Sequence, residues 1–259
     1  MNKNILVCVK TVPTSSDVQV DSTFCLRRGS AALEPNIADG SALEAAVRLR
    51  GEDAFVIVLS MGPPNAAEAL RGLFAMGADR VLLLSDPALA GADTRATAMA
   101  LAALVEYVGG AELILCGRRA IDGETGQIPG ELAAALGLPC ISNIESIERD
   151  GGGYVLRRRL EDGVALLSCG RGLVASLCEY SYPPRLPGIA ALRRSRGRSV
   201  ECISAEQLRL APENCGRAAS RTRTVRVQNR YPGLRKCKFS PDAESGAREI
   251  LRCIEEGEA

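Results

Sequence analysis

One stretch constrains this 259-residue chain more than any other: Leu113 to Pro139, reading LILCGRRAIDGETGQIPGELAAALGLP. Leu113 to Cys116 is a short apolar run followed by glycine, which suits a buried strand. Glu131 to Leu138 reads as a helix, with Gly137 as its left-handed stop and Pro139 just beyond. Between them lies a loop of small and polar residues: Asp122, Gly123, Glu124, Thr125, Gly126 and Gln127. Strand, small-residue loop, then helix start is how an α/β protein presents free backbone N–H groups to an anion. Gly123 and Gly126 let phosphate oxygens approach the main chain, and Thr125 offers a hydroxyl and a helix cap. Asp122 and Glu124 can accept hydrogen bonds from a sugar or base, but would repel a phosphate they faced. The same residues equally suit an ordinary strand-to-helix turn in which Thr125 only caps.

The rest of the chain repeats the strand–helix alternation. Ile5–Lys10 is apolar on both faces, as a central parallel strand should be, and turns at Pro13 over the sheet's carboxyl edge. Asp17–Arg28 alternates weakly, as an irregular excursion or hairpin. Ser41 with Glu44 forms a capping box that predicts a helix to about Arg50. Ala54–Leu59 is a strand, and Asn65 with Glu68 forms a second capping box for a helix ending at Gly77. Arg80–Leu84 is a third strand, and Asp93 caps a helix from Thr94 to about Val108. This spacing predicts right-handed crossovers and a doubly wound, mostly parallel α/β sheet.

After Pro139 the pattern changes. Tyr154–Leu160 and Val164–Ser168 flank Glu161-Asp162-Gly163, a hairpin signature that predicts an antiparallel extension. Leu173–Leu177 is a further strand. Residues Cys178–Pro187 carry two tyrosines and a run of prolines, which suits an exposed, stiffened loop ahead of a short basic helix. Residues 209–240 are rich in Arg and show little periodicity, as an extended arm would, and Ser240-Pro241 opens a last helix. The expected division is an α/β domain over 1–208 and an arm plus helix over 209–259.

Composition removes several functions. Net charge is +1, too balanced for general nucleic-acid binding. Aromatic residues make up 3% with no Trp, so single-strand stacking platforms are unsupported too. Histidine is absent, which excludes Ser-His-Asp and Cys-His catalysis. The ten cysteines never form C-x-x-C, so a zinc or iron–sulfur site is a poor fit. Cys8, Cys116 and Cys169 sit in apolar strand-like runs and read as small buried hydrophobes. The N-terminus shows no signal-peptide pattern, and no run approaches the ~18 apolar residues of a membrane span. The expected setting is a reduced cytoplasm.

Four motifs in order carry a resemblance. CGRRAIDGETGQIPGELAAALGLP is similar to the adenosine-phosphate loop of the electron transfer flavoprotein β subunit, above all its clostridial, electron-bifurcating members. ILVCVKTVP (Ile5–Pro13), VLSMGPPNAAEALRGLFAMGAD (Val58–Asp79) and GADTRAT (Gly91–Thr97) resemble further family motifs in the family's order. The resemblance runs from Ile5 to Pro139 and is weak over the last hundred residues. It implies an adenine nucleotide α-hydrolase-like fold and a heterodimer with an electron transfer flavoprotein α subunit, passing electrons between a dehydrogenase and an acceptor.

It also implies that Cys8, Asn36, Asp39, Met61, Ala120, Ile121, Asp122, Gly123, Glu124, Thr125, Gly126 and Gln127 bind an adenine nucleotide. Ile37 and Ala38 stand where the family usually has Pro and an aromatic, and Pro129-Gly130 inverts its glycine–proline order. Met61 also suits plain core filling. The G-A-D-T-x-A-T helix start, with Thr94 and Thr97 on one face of an electropositive end, points to FAD, with AMP as the alternative. Cys178–Pro187 aligns with the loop that docks a dehydrogenase. In members serving acyl-CoA dehydrogenases a buried leucine falls near Cys178, so a different dehydrogenase is implied; a partnerless connector is the rival reading. The arginine-rich 217–238 segment wraps the α subunit or is a solvated face. A different class of protein, a nucleotide-binding regulator resembling universal stress proteins, fits the same loop. An ATP-using ligase is weakened by the lack of G-x-x-x-x-G-K-[ST].

Overall fold

The computed structural model describes residues 3–14, 32–225 and 239–256. The excursion expected over Asp17–Arg28 and residues 226–238 of the arginine-rich arm therefore lie outside the described residues. The chain divides into two units, Met1–Thr224 and Val225–Ala259.

The first unit is a nine-stranded, mostly parallel sheet covered by helices on both faces. In chain order its elements are β1 (Ile5–Cys8), β2 (Thr11–Pro13), β3 (Leu33–Pro35), α1 (Ile37–Leu49), β4 (Val56–Met61), α2 (Ala66–Arg71), β5 (Arg80–Leu84), α3 (Thr94–Tyr107), β6 (Leu113–Gly117) and α4 (Ile128–Leu136). Then come β7 (Cys140–Asp150), β8 (Gly153–Arg159), β9 (Val164–Gly170), β10 (Leu173–Leu177), α5 (Ile189–Ser195), β11 (Glu201–Ile203) and the short α6 (Gly216–Ala219). The large sheet runs β11-β5-β4-β1-β6-β10-β7-β8-β9, while β2 and β3 pair antiparallel by themselves. The chain thus lays strands on one side of β1, then crosses to β6 on the other. That reversal makes β1/β6 the switch point, where the two flanking crossovers leave a crevice at the carboxyl edge.

Both faces of the central strands are apolar because both are covered. Ile5 and Val7 join α1 and α2 in one core; Leu6 and Cys8 join α3 and α4 in the other. Gly137 ends α4 at φ +65°, the left-handed stop its position predicts. Asp93 caps α3 by accepting from Ala96 N at 2.9 Å.

Three local capping expectations do not hold. Helix α1 begins at Ile37, so Ser41 and Glu44 are buried inside it rather than forming a capping box. Glu44 instead accepts from Arg48 at 2.7 Å and from both Nε and Nη2 of Arg185, at 2.7 and 3.2 Å. Burial raises the Glu44 pKa, but these guanidiniums win and hold it below its usual value. Asn65 stands at the start of α2 without a side-chain cap bond. Thr125 does not cap α4, which starts at Ile128 with Gln127 at the cap position.

The antiparallel extension forms as the hairpin signature requires, with Arg159 opposite Val164 and Gly153 opposite Gly170. Strand β7 was not legible because it has two partners: its first residues pair parallel with β10, and beyond a bulge it pairs antiparallel with β8. A buried ion cluster fastens this extension at the sheet's amino edge. Glu112, 1% exposed in its side chain, is paired with Arg149 and, at 3.5 Å, with Arg171. Arg149 also donates to the Leu49 carbonyl at 2.7 Å.

The second unit contains α7 (Ala243–Glu256), opened by Asp242, whose carboxylate accepts from Ser245 N at 2.8 Å. Its apolar residues Ala247, Ile250, Leu251 and Ile254 recur at helical spacing on one face. Among the described residues no helix is long and apolar enough to cross a membrane.

Removing the buried partner of the Glu112 cluster tests this reading. Glu112→Ala should cost about 2 kcal/mol or more in urea unfolding, because it strands partly buried guanidiniums. Asp53→Ala, which breaks the exposed 3.2 Å pair with Lys3, should stay within about 0.5 kcal/mol. Equal effects would contradict it.

Candidate functional site

The carboxyl ends of β4, β1 and β6 lie side by side, bringing Met61, Cys8 and Gly117 to one edge. Asn36 and Asp39, three apart at the start of α1, face the same way over the β1/β6 crevice. Asp39 spans that crevice: Oδ2 accepts from Lys10 N at 2.8 Å and Oδ1 from Gly117 N at 3.1 Å. The approach is so close that a Cβ on Gly117 would fall 2.3 Å from Asp39 Oδ1 and 2.7 Å from the Ala38 carbonyl carbon. Only glycine fits there. Asn36 splints the loop that follows: Nδ2 donates to the Arg119 carbonyl at 3.0 Å, and Oδ1 accepts from Ile121 N at 3.2 Å.

Beyond that splint the loop folds on itself, with Glu124 N donating to the Ala120 carbonyl at 2.8 Å. Glu124 and Gly126 take left-handed conformations at φ +51° and +62°. For a non-glycine residue that costs of order 1 kcal/mol, strain typical of ligand-binding turns. Among the described residues the exposed amides of Gly123, Thr125, Gly126 and Gln127 have no protein acceptor, and the Thr125 hydroxyl makes no hydrogen bond. The loop's carboxylates are answered by the chain's own cations. Lys10 Nζ lies 2.6 Å from Asp122 Oδ1, and Arg119 lies 3.6 Å from Glu124. The repulsion that Asp122 and Glu124 would exert on a phosphate is thereby offset.

Helix α3 reaches the same loop. The Thr94 hydroxyl lies 3.0 Å from Gln127 Oε1 and 3.1 Å from Glu131 Oε1, so it can donate to either. Thr97, one turn on, is half-buried and makes no side-chain hydrogen bond among the described residues. Met61 is half-buried against the core that contains Leu6 and Cys8, so it packs and borders the edge at once. Cys8 and Cys116 stand opposite each other in register. The hydrogen bond to Cys8, which favours the neutral thiol, and burial push the Cys116 thiol well up, which makes it inert packing.

Two contributors escaped the list of expected site residues. Lys10 lies in the V-C-V-K run, but its partner Asp122 is 112 positions away. Gly117 reads only as a strand end. The donor set fits a phosphorylated nucleotide: main-chain N–H groups over a switch-point crevice, glycines on the approach, and acids already paired.

The loop Cys178–Pro187 packs beside this site. Cys178 is buried, and Tyr182 turns inward, donating to the Ile147 carbonyl at 3.1 Å while accepting from Ile147 N at 2.9 Å. Pro184 lies so close to Gly40 of α1 that a Cβ there would meet it at 2.8 Å. What the loop exposes is Tyr180 and Leu186, the latter 94% accessible.

Asp39 carries a measurable pH signature. Burial raises its pKa from 3.8 to about 7, against the lowering effect of the Lys10 amide, the Asn36 side chain and the Gly117 amide. The folded chain therefore holds this proton more tightly than the unfolded one. That contribution to stability is complete below pH ~4 and is lost as pH climbs to about 7. The stability difference between wild type and Asp39→Asn, read by urea unfolding, should shift against wild type across pH 4–7. A difference that stays constant over that window would contradict the assignment.

Comparison with known proteins places the chain. Residues 26–208 match the family model described as the electron transfer flavoprotein domain. The chain is 35% identical over 251 residues to caffeyl-CoA reductase-Etf complex subunit CarD of Acetobacterium woodii, covering 95% of this chain and 91% of that one. It is 36% identical over 225 residues to the electron transfer flavoprotein subunit beta of Thermoanaerobacterium thermosaccharolyticum, with 86% of each covered. It is 34% identical over 257 residues to that of Clostridium acetobutylicum, with 98% of each covered. On the breadth of this likeness, the chain belongs to the electron transfer flavoprotein family, as a subunit of the β type.

Proposed function

We propose that the β1/β6 crevice holds the adenosine diphosphate part of FAD, and that the chain works with an α subunit to pass electrons between a dehydrogenase and an acceptor. The observation that carries this is the set of amides at Gly123, Thr125, Gly126 and Gln127, exposed residues whose N–H groups have no acceptor among the described residues, beside a crevice bridged by Asp39. When bound, the flavin ring supplies the electron chemistry; the protein binds and orients it. In this reading Asn36 and Asp39 set the loop's position, the amides and Thr125 take the phosphates, and Cys8 and Met61 border the adenosine. FAD is preferred over AMP because the G-A-D-T-x-A-T helix start adds a second polar element at the loop, with the Thr94 hydroxyl 3.0 Å from Gln127 Oε1. Thr97 lies on the same helix face.

The partners follow from chemistry on the surface. CarD is named as part of a caffeyl-CoA reductase-Etf complex, and a dehydrogenase is the corresponding partner here; because Cys178 stands near the place of the buried leucine of members serving acyl-CoA dehydrogenases, it is a dehydrogenase of a different kind. Its docking surface is assigned to Cys178–Pro187, where Tyr180 and Leu186 are exposed beside α1. The C-terminal arm and α7, with the apolar face of Ile250, Leu251 and Ile254, pack on the α subunit in this account. A cytoplasmic setting is supported by the free thiols among the described residues. The regulatory, stress-protein reading is not favoured by the relatives.

Lys10 provides the test, in the complex co-purified with its α subunit. Lys10→Met removes the cation that neutralises Asp122 beside the phosphates and should weaken β-site nucleotide binding by roughly tenfold or more. Adding Asp122→Asn should recover part of it, a coupling that a double-mutant cycle isolates. The expected wild-type content is two flavins per heterodimer; one flavin with one AMP would select the alternative. If Thr125→Ala with Asp122→Ala leaves β-site occupancy untouched, the site is wrongly placed.

A further inference from the structure

The mouth of α3 is tied to a segment more than a hundred residues downstream. Asp93 divides its two carboxylate oxygens between two tasks. Oδ1 caps α3 through Ala96 N at 2.9 Å. Oδ2 accepts from Arg221 N at 2.7 Å, Thr222 N at 3.0 Å and Thr222 Oγ1 at 3.2 Å. The Asp93 amide in turn donates to Ser220 Oγ at 2.8 Å, and that hydroxyl can donate to the Gly216 or Gly91 carbonyl, at 2.8 and 3.2 Å. Just upstream, Arg217 N donates to the Ala90 carbonyl at 3.1 Å. Residues 216–222 are thus laid as a strap along 88–93, and the first unit ends at Thr224.

The residue after Asp93 is Thr94, which reaches Gln127 and Glu131. One short turn therefore faces the strap with Asp93 and the candidate nucleotide loop with Thr94. A carboxylate suits this post because it only accepts, and several N–H and O–H donors converge on it. Those amides hold its pKa below the usual value against the opposing effect of burial.

We propose that Asp93 is a positioning residue: by clamping the 220–222 strap on the mouth of α3 it keeps Thr94 in register with Gln127, so that nucleotide retention and closure of the strap depend on each other. The proposal rests on the nucleotide reading given above. Such coupling is reciprocal: whatever the strap adds to nucleotide affinity, the nucleotide adds to strap closure.

Hydrogen exchange at the Arg221 and Thr222 amides reads the clamp directly in the αβ complex. Asp93→Asn keeps the shape but turns an N–H₂ or a poorer acceptor toward those donors. It should speed exchange across 220–222 by roughly tenfold or more while leaving the middle of α3 unchanged. Ser220→Ala with Thr222→Val loosens the strap without touching the α3 cap, and covers the case in which Asp93→Asn frays the helix. Both variants should lose roughly tenfold in β-site FAD affinity, and saturating FAD should slow strap exchange in wild type but much less in the variants. Unchanged strap exchange in Asp93→Asn would overturn the clamp. A loosened strap with nucleotide affinity within about twofold of wild type would overturn the coupling. A wild-type complex that takes up neither FAD nor AMP refutes the nucleotide reading and the coupling with it, while the exchange contrast without nucleotide still decides the clamp.

Discussion

The arrangement depends on one buried carboxylate laid across the gap between two parallel strands. At a switch point the crossovers diverge, so the ends of β1 and β6 have no helix start of their own to cover them. Asp39 fills that place by accepting the Lys10 and Gly117 amides with separate oxygens. The geometry is affordable only because Gly117 has no side chain. Asn36, one turn back, extends the bridge to the loop after β6, so the first turn of α1 positions both the crevice and its rim. Elements that are distant in sequence become a single edge through these few bonds.

Electrostatic neutralisation comes next. A loop carrying Asp122 and Glu124 is a poor anion cradle by composition, and exposed pairs alone contribute little. Asp122, however, is 9% exposed in its side chain and lies 2.6 Å from Lys10. Sheltered from water, that pair is screened less and keeps its geometry. The same logic recurs at Glu44, where α1 holds Arg185 and with it the loop that ends at Pro187. Asp93 repeats it again, with amides in place of guanidiniums.

Local signals were legible and long-range ones were not. The alternation of strands and helices, the Gly137 stop, the Asp93 cap and the hairpin at 161–163 all declare themselves within a few residues. The glycine-rich loop did too, and the residues grouped with it do meet at one edge. Ser41 and Glu44 misled because a capping box is a local pattern, whereas Arg185, 141 positions away, claimed the glutamate. Strand β7 was hidden because it changes partner and direction near Asn143, at φ +59°, which breaks its alternation. Tyr182 looked like surface, but its hydroxyl bonds both the amide and the carbonyl of Ile147. No spacing rule could pair Lys10 with Asp122 or Asp93 with Thr222.

The central claim is that the amides from Gly123 to Gln127 hold a diphosphate over the Asp39 bridge. A crystal structure of the αβ complex grown with saturating FAD tests it most directly. The account predicts phosphate oxygens within hydrogen-bond distance of those amides, with the adenosine lying over the ends of β1 and β4. Electron density for the β-site nucleotide elsewhere, or a loop closed by its own side chains in the presence of the ligand, would contradict it.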